Sequence, residues 1–123
     1  MGNVIETKGF RGLNFYCTES QWENHVIAEP TGHPIMKNNI AAIIETVQHP
    51  DRIYESHDSK PPLDYRQIYC KEVDFATYHS KAPITKVVVS VLGNSGEIVT
   101  AYDSKNYTGG TKGEALYNAD DER

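Results

Sequence analysis

The sequence predicts an α+β domain in which two N-terminal helices pack on one face of an antiparallel β-meander sheet. Three observations carry that prediction. Ile40, Ile43, Ile44 and Val47 recur at i, i+3, i+4 and i+7, the apolar stripe of an amphipathic helix. Residues 85–92, with Val87-Val88-Val89 at their centre, are rich in β-branched side chains, and Gly93-Asn94-Ser95-Gly96 after them is hairpin chemistry. The helical signals come early and a run of strands follows, which is the α+β order.

Taken along the chain, residues 1–9 lack periodicity and read as a loose lead-in. Residues 12–17 alternate, with Phe15 and Cys17 on one side and Asn14 and Tyr16 on the other, and read as a strand. Thr18 and Gln21 have capping-box spacing, with Ser20 as an alternative cap, so a helix is expected over about 19–28, turning Trp22 and Val26 to the core. Pro30, Gly32 and Pro34 mark a loop. The striped helix follows over about 37–48, capped by Asn38 or Asn39 and stopped by His49-Pro50, because the residue before proline disfavours the α region. The meander then takes strands at 52–55, 65–71, 85–92 and 97–102, with loops at 57–62 and 74–83 and the third strand central. Beyond Asp103 the chain is polar and glycine-rich; Tyr107 and Leu116 are the side chains suited to dock, and the last five residues read as frayed. The whole is one domain, with a core over about 12–105 and loose ends. At 123 residues it is long enough to build that core without disulfides or metals.

Composition narrows the function. No apolar run approaches the roughly 18 residues that span a bilayer. The start lacks a basic segment followed by an apolar block, and Glu6 stands where a myristoylation signal has Ser or Thr. A cytoplasmic protein, or one delivered into a target cell, is expected. Cys17 and Cys70 both fall in expected strands, either as buried thiols or as a disulfide between neighbouring strands. A net charge of −5 excludes a broad nucleic-acid-coating surface, since phosphate contacts need cations. Residues 75–113 nevertheless carry Lys81, Lys86, Lys105 and Lys112 against only Glu97 and Asp103, so a locally basic face is expected.

The chemistry-bearing residues are spread along the chain. His25 follows Trp22 by three positions, at the edge of the buried stripe, where an imidazole can act as general base or acid. The plainer reading is a histidine bonded to backbone. His33 lies in a Pro/Gly loop, where function concentrates, although His-Pro is also an ordinary helix entry. His49 reads as a helix stop, and His57 and His79 as solvated. Thr100 and Tyr102 are i and i+2 on a strand, so their hydroxyls share a sheet face. If that face is the open one, they can hold a phosphate oxygen. Lys86, across the hairpin from them, is the cation placed to meet a developing negative charge.

These motifs, in order, resemble a family. Trp22-Glu23-Asn24-His25-Val26 on a helix, His33-Pro34, Pro50-Asp51-Arg52-Ile53-Tyr54-Glu55-Ser56, Val87-Val88-Val89 and Thr100-Ala101-Tyr102 are similar to the phage-associated branch of the barnase–EndoU–colicin–RelE-like (BECR fold) nucleases. The similarity covers about residues 12–105; Ile35 stands where that family often has Glu. The resemblance implies a metal-independent endoribonuclease, in many members a toxin of bacterial conflict systems. By motif match, His25 falls on the helix histidine, and Thr100 and Tyr102 on the strand hydroxyls. The reaction expected is attack of a ribose 2′-hydroxyl on the adjacent phosphate, leaving a 2′,3′-cyclic phosphate. Lys86 would join these catalytic groups, with His33, Arg52, Arg66 and Lys105 as substrate contacts and no cofactor or metal. RNA is the expected partner, with a cognate immunity or antitoxin protein as the second. The rival readings are a non-catalytic module that grips a protein or nucleic acid on the same sheet face, and a small-molecule enzyme there.

Overall fold

A computed structural model describes residues 2–27, 40–55, 65–72, 84–104 and 115–118. The chain runs β1 (Asn3–Lys8), a 3₁₀ turn (Phe10–Gly12), β2 (Asn14–Thr18), α1 (Glu19–Gln21) and a π turn (Trp22–Val26). It continues with α2 (Ile40–Gln48), β3 (Arg52–Glu55), β4 (Tyr65–Glu72), β5 (Ile84–Leu92), β6 (Ser95–Ser104) and β7 (Ala115–Asn118). The fold is mixed α+β, mostly sheet: seven strands in the order β1-β2-β6-β5-β4-β3-β7, with short helices. Strands β3 to β6 form the expected antiparallel meander, with β5 in the middle of the sheet.

Four expectations need correction. Residues 3–8 are not a loose lead-in but an edge strand antiparallel to β2; Ile5 opposite Cys17 is its one fully buried anchor. The sheet is not wholly antiparallel, because β2 runs parallel to β6, pairing Asn14, Phe15 and Tyr16 with Ser95, Gly96 and Glu97. The first helix is only one α turn followed by a π turn, closed by the Ile27 amide bonding the Trp22 carbonyl at 3.0 Å. The wider π turn sets Val26 over Trp22, and both are buried. Beyond Asp103 the chain returns as β7, antiparallel to β3, so the core reaches past residue 105 at one end and before residue 12 at the other. Helix α2 over 40–48 and the half-buried Leu116 stand as expected. The caps Asn38 and Asn39, the loops at 29–34, 57–62 and 74–83, Tyr107 and the last five residues lie outside the described residues.

One sheet face carries the main core, where Ile43 and Val47 of α2 and Trp22 and Val26 of the π turn meet Phe15, Tyr69, Val87, Val89 and Ala101. Each fully buried aliphatic side chain there contributes about 1.5–3 kcal/mol of transfer free energy. The second face was expected to be open. In its centre it is not: Tyr54, Ile68, Cys70, Ile84 and Val88 form a second buried cluster, with Val99 and Tyr102 packed against it. Cys17 belongs to the first cluster and Cys70 to the second, both free thiols, which settles the disulfide alternative against pairing.

A bulge decides which face the hydroxyl pair takes. The hairpin turns at Gly93-Asn94, one residue earlier than the expected centre, with Gly93 at φ +62, a conformation that costs glycine little. From that turn the register runs Leu92 with Ser95 to Val89 with Ile98, then shifts so that Val88 meets Thr100 and Lys86 meets Tyr102. Val99 is the extra residue. It flips the parity of everything after it, putting small Ala101 in the main core and Thr100 and Tyr102 on the second face.

Candidate functional site

The register aligns one row of side chains across four strands of the second face: Arg52, Cys70, Lys86 and Tyr102 are successive Cα partners. The next row holds Tyr54, Ile68, Val88 and Thr100, and the one beyond Val88 holds Arg66, Ser90 and Glu97. Strand alternation therefore brings Thr100, Tyr102, Lys86, Arg52 and Arg66 to one face. Thr100, Tyr102, Arg52 and Arg66 are each half-buried, and Arg52 Nη1 donates to Tyr54 Oη at 3.2 Å.

Lys86 meets the expected partner but not the expected exposure. It is 0% exposed, among the largest fully buried side chains of the protein. Burial pushes its ammonium pKa below the ordinary value, against an opposing pull from Cys70. Burial likewise raises the Tyr102 phenol, with Cys70 adding to the effect, and pushes the Cys70 thiol up to about 12. Tyr102 is thus held as a neutral hydroxyl, able to donate. The exposure expected of Lys86 is therefore corrected to full burial, in one row with Cys70 and Tyr102. The sequence reading missed this because strand parity gives the face and not what covers it.

His25 is carried on the π turn and is exposed. Thr18 caps the turn as its spacing suggests, its Oγ1 accepting from the Gln21 amide at 3.1 Å. The Gln21 side chain does not complete the capping box. Its Nε2 donates instead to the carbonyl of Val99, the bulge residue, at 2.6 Å. The β2–β6 ladder ends at Tyr16 with Glu97, and the helical turn takes over beside β6 from there. The structure so brings the turn bearing His25 alongside the strand segment from which Thr100 and Tyr102 leave, while Trp22 and Val26 hold that turn on the helix side. His33, Lys105 and Lys81 lie outside the described residues. Among the described residues no three His, Cys, Asp or Glu are grouped to hold a metal ion, and no helix is long and apolar enough to cross a membrane.

A second cluster escaped the sequence reading. A cleft of about 270 Å³ is lined by Phe10, Gln48, His49, Pro50, Asp51, Lys71 and Tyr117. His49, expected only to stop a helix, forms part of its wall, and its carbonyl accepts from Lys71 Nζ at 2.9 Å. Lys71 also lies 3.7 Å from Asp51 Oδ1, while Asp51 Oδ2 accepts from the Glu72 amide at 2.9 Å. The Phe10 and Tyr117 rings are 4.6 Å apart, tilted by 51°, with the Arg11 guanidinium over both. The available signal was Gly9-Phe10-Arg11-Gly12, an aromatic and a cation bracketed by glycines in a turn. Gly9 is needed there because a Cβ would fall 2.6 Å from the Val47 carbonyl of α2.

No family model, curated protein or solved structure matches the chain. The functional reading therefore rests on its own residues and on the motif resemblance.

Proposed function

We propose that the protein is a metal-independent endoribonuclease whose site lies where the His25 turn meets the face of Thr100 and Tyr102, in a BECR-like arrangement of N-terminal helices on one face of the sheet. The observation that carries the reading is the Gln21–Val99 tie beside the bulge, which holds the turn that bears His25 against the strand that bears Thr100 and Tyr102. In this reading His25 takes the proton of the attacking 2′-hydroxyl as the bond from that oxygen to phosphorus forms and the bond to the 5′-oxygen breaks, with water protonating the leaving oxygen; as the acid instead, it gives its proton to the 5′-oxygen and water takes the first. Thr100 and neutral Tyr102 donate to the non-bridging phosphate oxygens. Arg52 and Arg66, half-buried on that face, supply positive charge, and Lys86 acts through the field and packing of the row. His33 and Lys105 remain proposed substrate contacts, and a cognate immunity or antitoxin protein remains a proposed partner. The test is incubation with RNA in excess chelator. Fragments ending in 2′,3′-cyclic phosphate are expected; intact RNA removes the reading.

The second reading is a binding module that holds RNA or a protein without cutting. The burial of Lys86 favours it, since the cation paired with Tyr102 across the hairpin is inaccessible. Tight, chelator-insensitive RNA binding without fragmentation is its signature.

A further inference from the structure

We propose that the cleft between the Gly9–Gly12 turn, the end of α2 and the start of β3 is a nucleotide subsite for single-stranded RNA. One base lies against the Phe10–Tyr117 wall, and the adjoining phosphate is held by Arg11, which stacks on that wall without lining the cleft, with Lys71 of the lining as a second cation. The inference rests on RNA being the ligand, as proposed above, but uses none of the residues of that site.

Arg11 carries the argument. Its backbone is left-handed, φ 58 and ψ 23, a region that residues with side chains seldom enter. Its guanidinium lies 4.9 Å from the Phe10 ring centroid and 5.7 Å from that of Tyr117. Stacking uses the flat face of a guanidinium and leaves the in-plane N–H fork for a phosphate or carboxylate. Arg11 is exposed, and among the described residues it makes no hydrogen bond or ion pair. An exposed cation, oriented by two rings and with its donors unspent, is the feature of an anion site already ordered before binding. Lys71 adds to it. The His49 carbonyl takes one of its three N–H groups, and Asp51 Oδ1 stands 3.7 Å away as an ion-pair neighbour beyond hydrogen-bond distance. Asp51 is the opposing charge in the wall, and it is engaged by Lys71 and by the Glu72 amide rather than presented bare. The volume of about 270 Å³ falls just below the usual small-molecule range, enough for one base and too small for several. Base-on-aromatic contact is tolerant of sequence, so this subsite holds a strand without selecting it.

The discriminating variant is Arg11→Gly. It removes the guanidinium and relieves the left-handed backbone, so the thermal midpoint should rise or hold while RNA affinity falls. Loss of affinity therefore cannot be attributed to unfolding. With a fluorescent oligouridine at low salt, the dissociation constant should increase about two- to fivefold, the worth of one exposed charged contact. The magnitude of the log–log salt slope should drop by about 0.7, one phosphate on a single strand. Arg11→Lys keeps the charge but not the fork and should fall between. Uridine 5′-monophosphate should displace the probe better than uridine. Single-turnover cleavage at saturating protein should be unchanged in Arg11→Gly. Equal affinity and slope for Arg11→Gly and wild type overturn the subsite, whatever happens to cleavage. Binding that depends on Arg11 without any cleavage leaves the subsite in place and removes the nuclease reading.

Discussion

Lys86 is the residue whose role differs most between a strand pattern and a folded sheet. It pairs with Cys70 on the sheet face of Ile84 and Val88 and has no exposed surface, so it behaves as core and as charge together. Lys86→Ala should lower unfolding free energy by about 2–5 kcal/mol, the range for emptying a packed site, where a solvated lysine would cost within about 0.5 kcal/mol. Lys86→Met, which keeps the stem and drops the charge, should recover most of that loss in urea titrations. A change under 0.5 kcal/mol for the alanine variant would contradict the buried placement. The two thiols set an alkaline limit. Burial, aided by Glu97 for Cys17, pushes both from 9.0 to about 12. A group whose folded pKa is raised stabilises fully below its unfolded pKa and loses that contribution as pH climbs through the folded one. Stability should thus fall between about pH 9 and 12. Lys86, shifted the opposite way, gives an opposing gain as pH approaches its ordinary value. Cys17→Ala should flatten the decline in denaturation series across that window; an unchanged slope would mean the thiol is not buried as described.

At the scale of elements, the turn that bears His25 depends on one cap and one tie. Thr18→Ala should cost about 0.5–2 kcal/mol by equilibrium unfolding, since the Gln21 amide loses its acceptor. An unaltered midpoint would show the turn held by Trp22 and Val26 alone. The cap was legible because Thr18 and Gln21 have a spacing with a mechanism, and α2 and β5 were legible because period and β-branching leave little choice. The π turn was not, since apolar residues at i and i+4 suit an α turn and a π turn alike. Strand β1 was hidden because only Ile5 of its six residues is fully buried, and β7 because four residues leave no room for alternation. The bulge at Val99 has no glycine to announce it. Its one trace is Ala101, a small residue where the main core comes closest, and it is the bulge that places Thr100 and Tyr102 on their common face.

Across the whole molecule, the ends of the sheet meet. Six inter-strand steps would separate β1 from β7 by roughly 29 Å in a flat sheet. Phe10, from the turn between β1 and β2, nonetheless touches Tyr117 of β7. The sheet curls around α2, Gln48 of α2 bonds Thr7 of β1 at 2.9 Å, and the Phe10–Tyr117 cleft forms at the closure. Neither the curl nor the cleft has a local sequence signal, because both arise from residues more than a hundred positions apart. Under the proposed function, the acidic balance would confine phosphate contacts to a few cations. Single-turnover cleavage of RNA in excess chelator, wild type beside a folded His25→Ala variant, puts the proposed chemistry to trial. Metal-free cleavage by the wild type, slowed about 10²- to 10⁴-fold without the imidazole, is the predicted result. Equal rates for the two proteins, or no cleavage by the wild type, would contradict it.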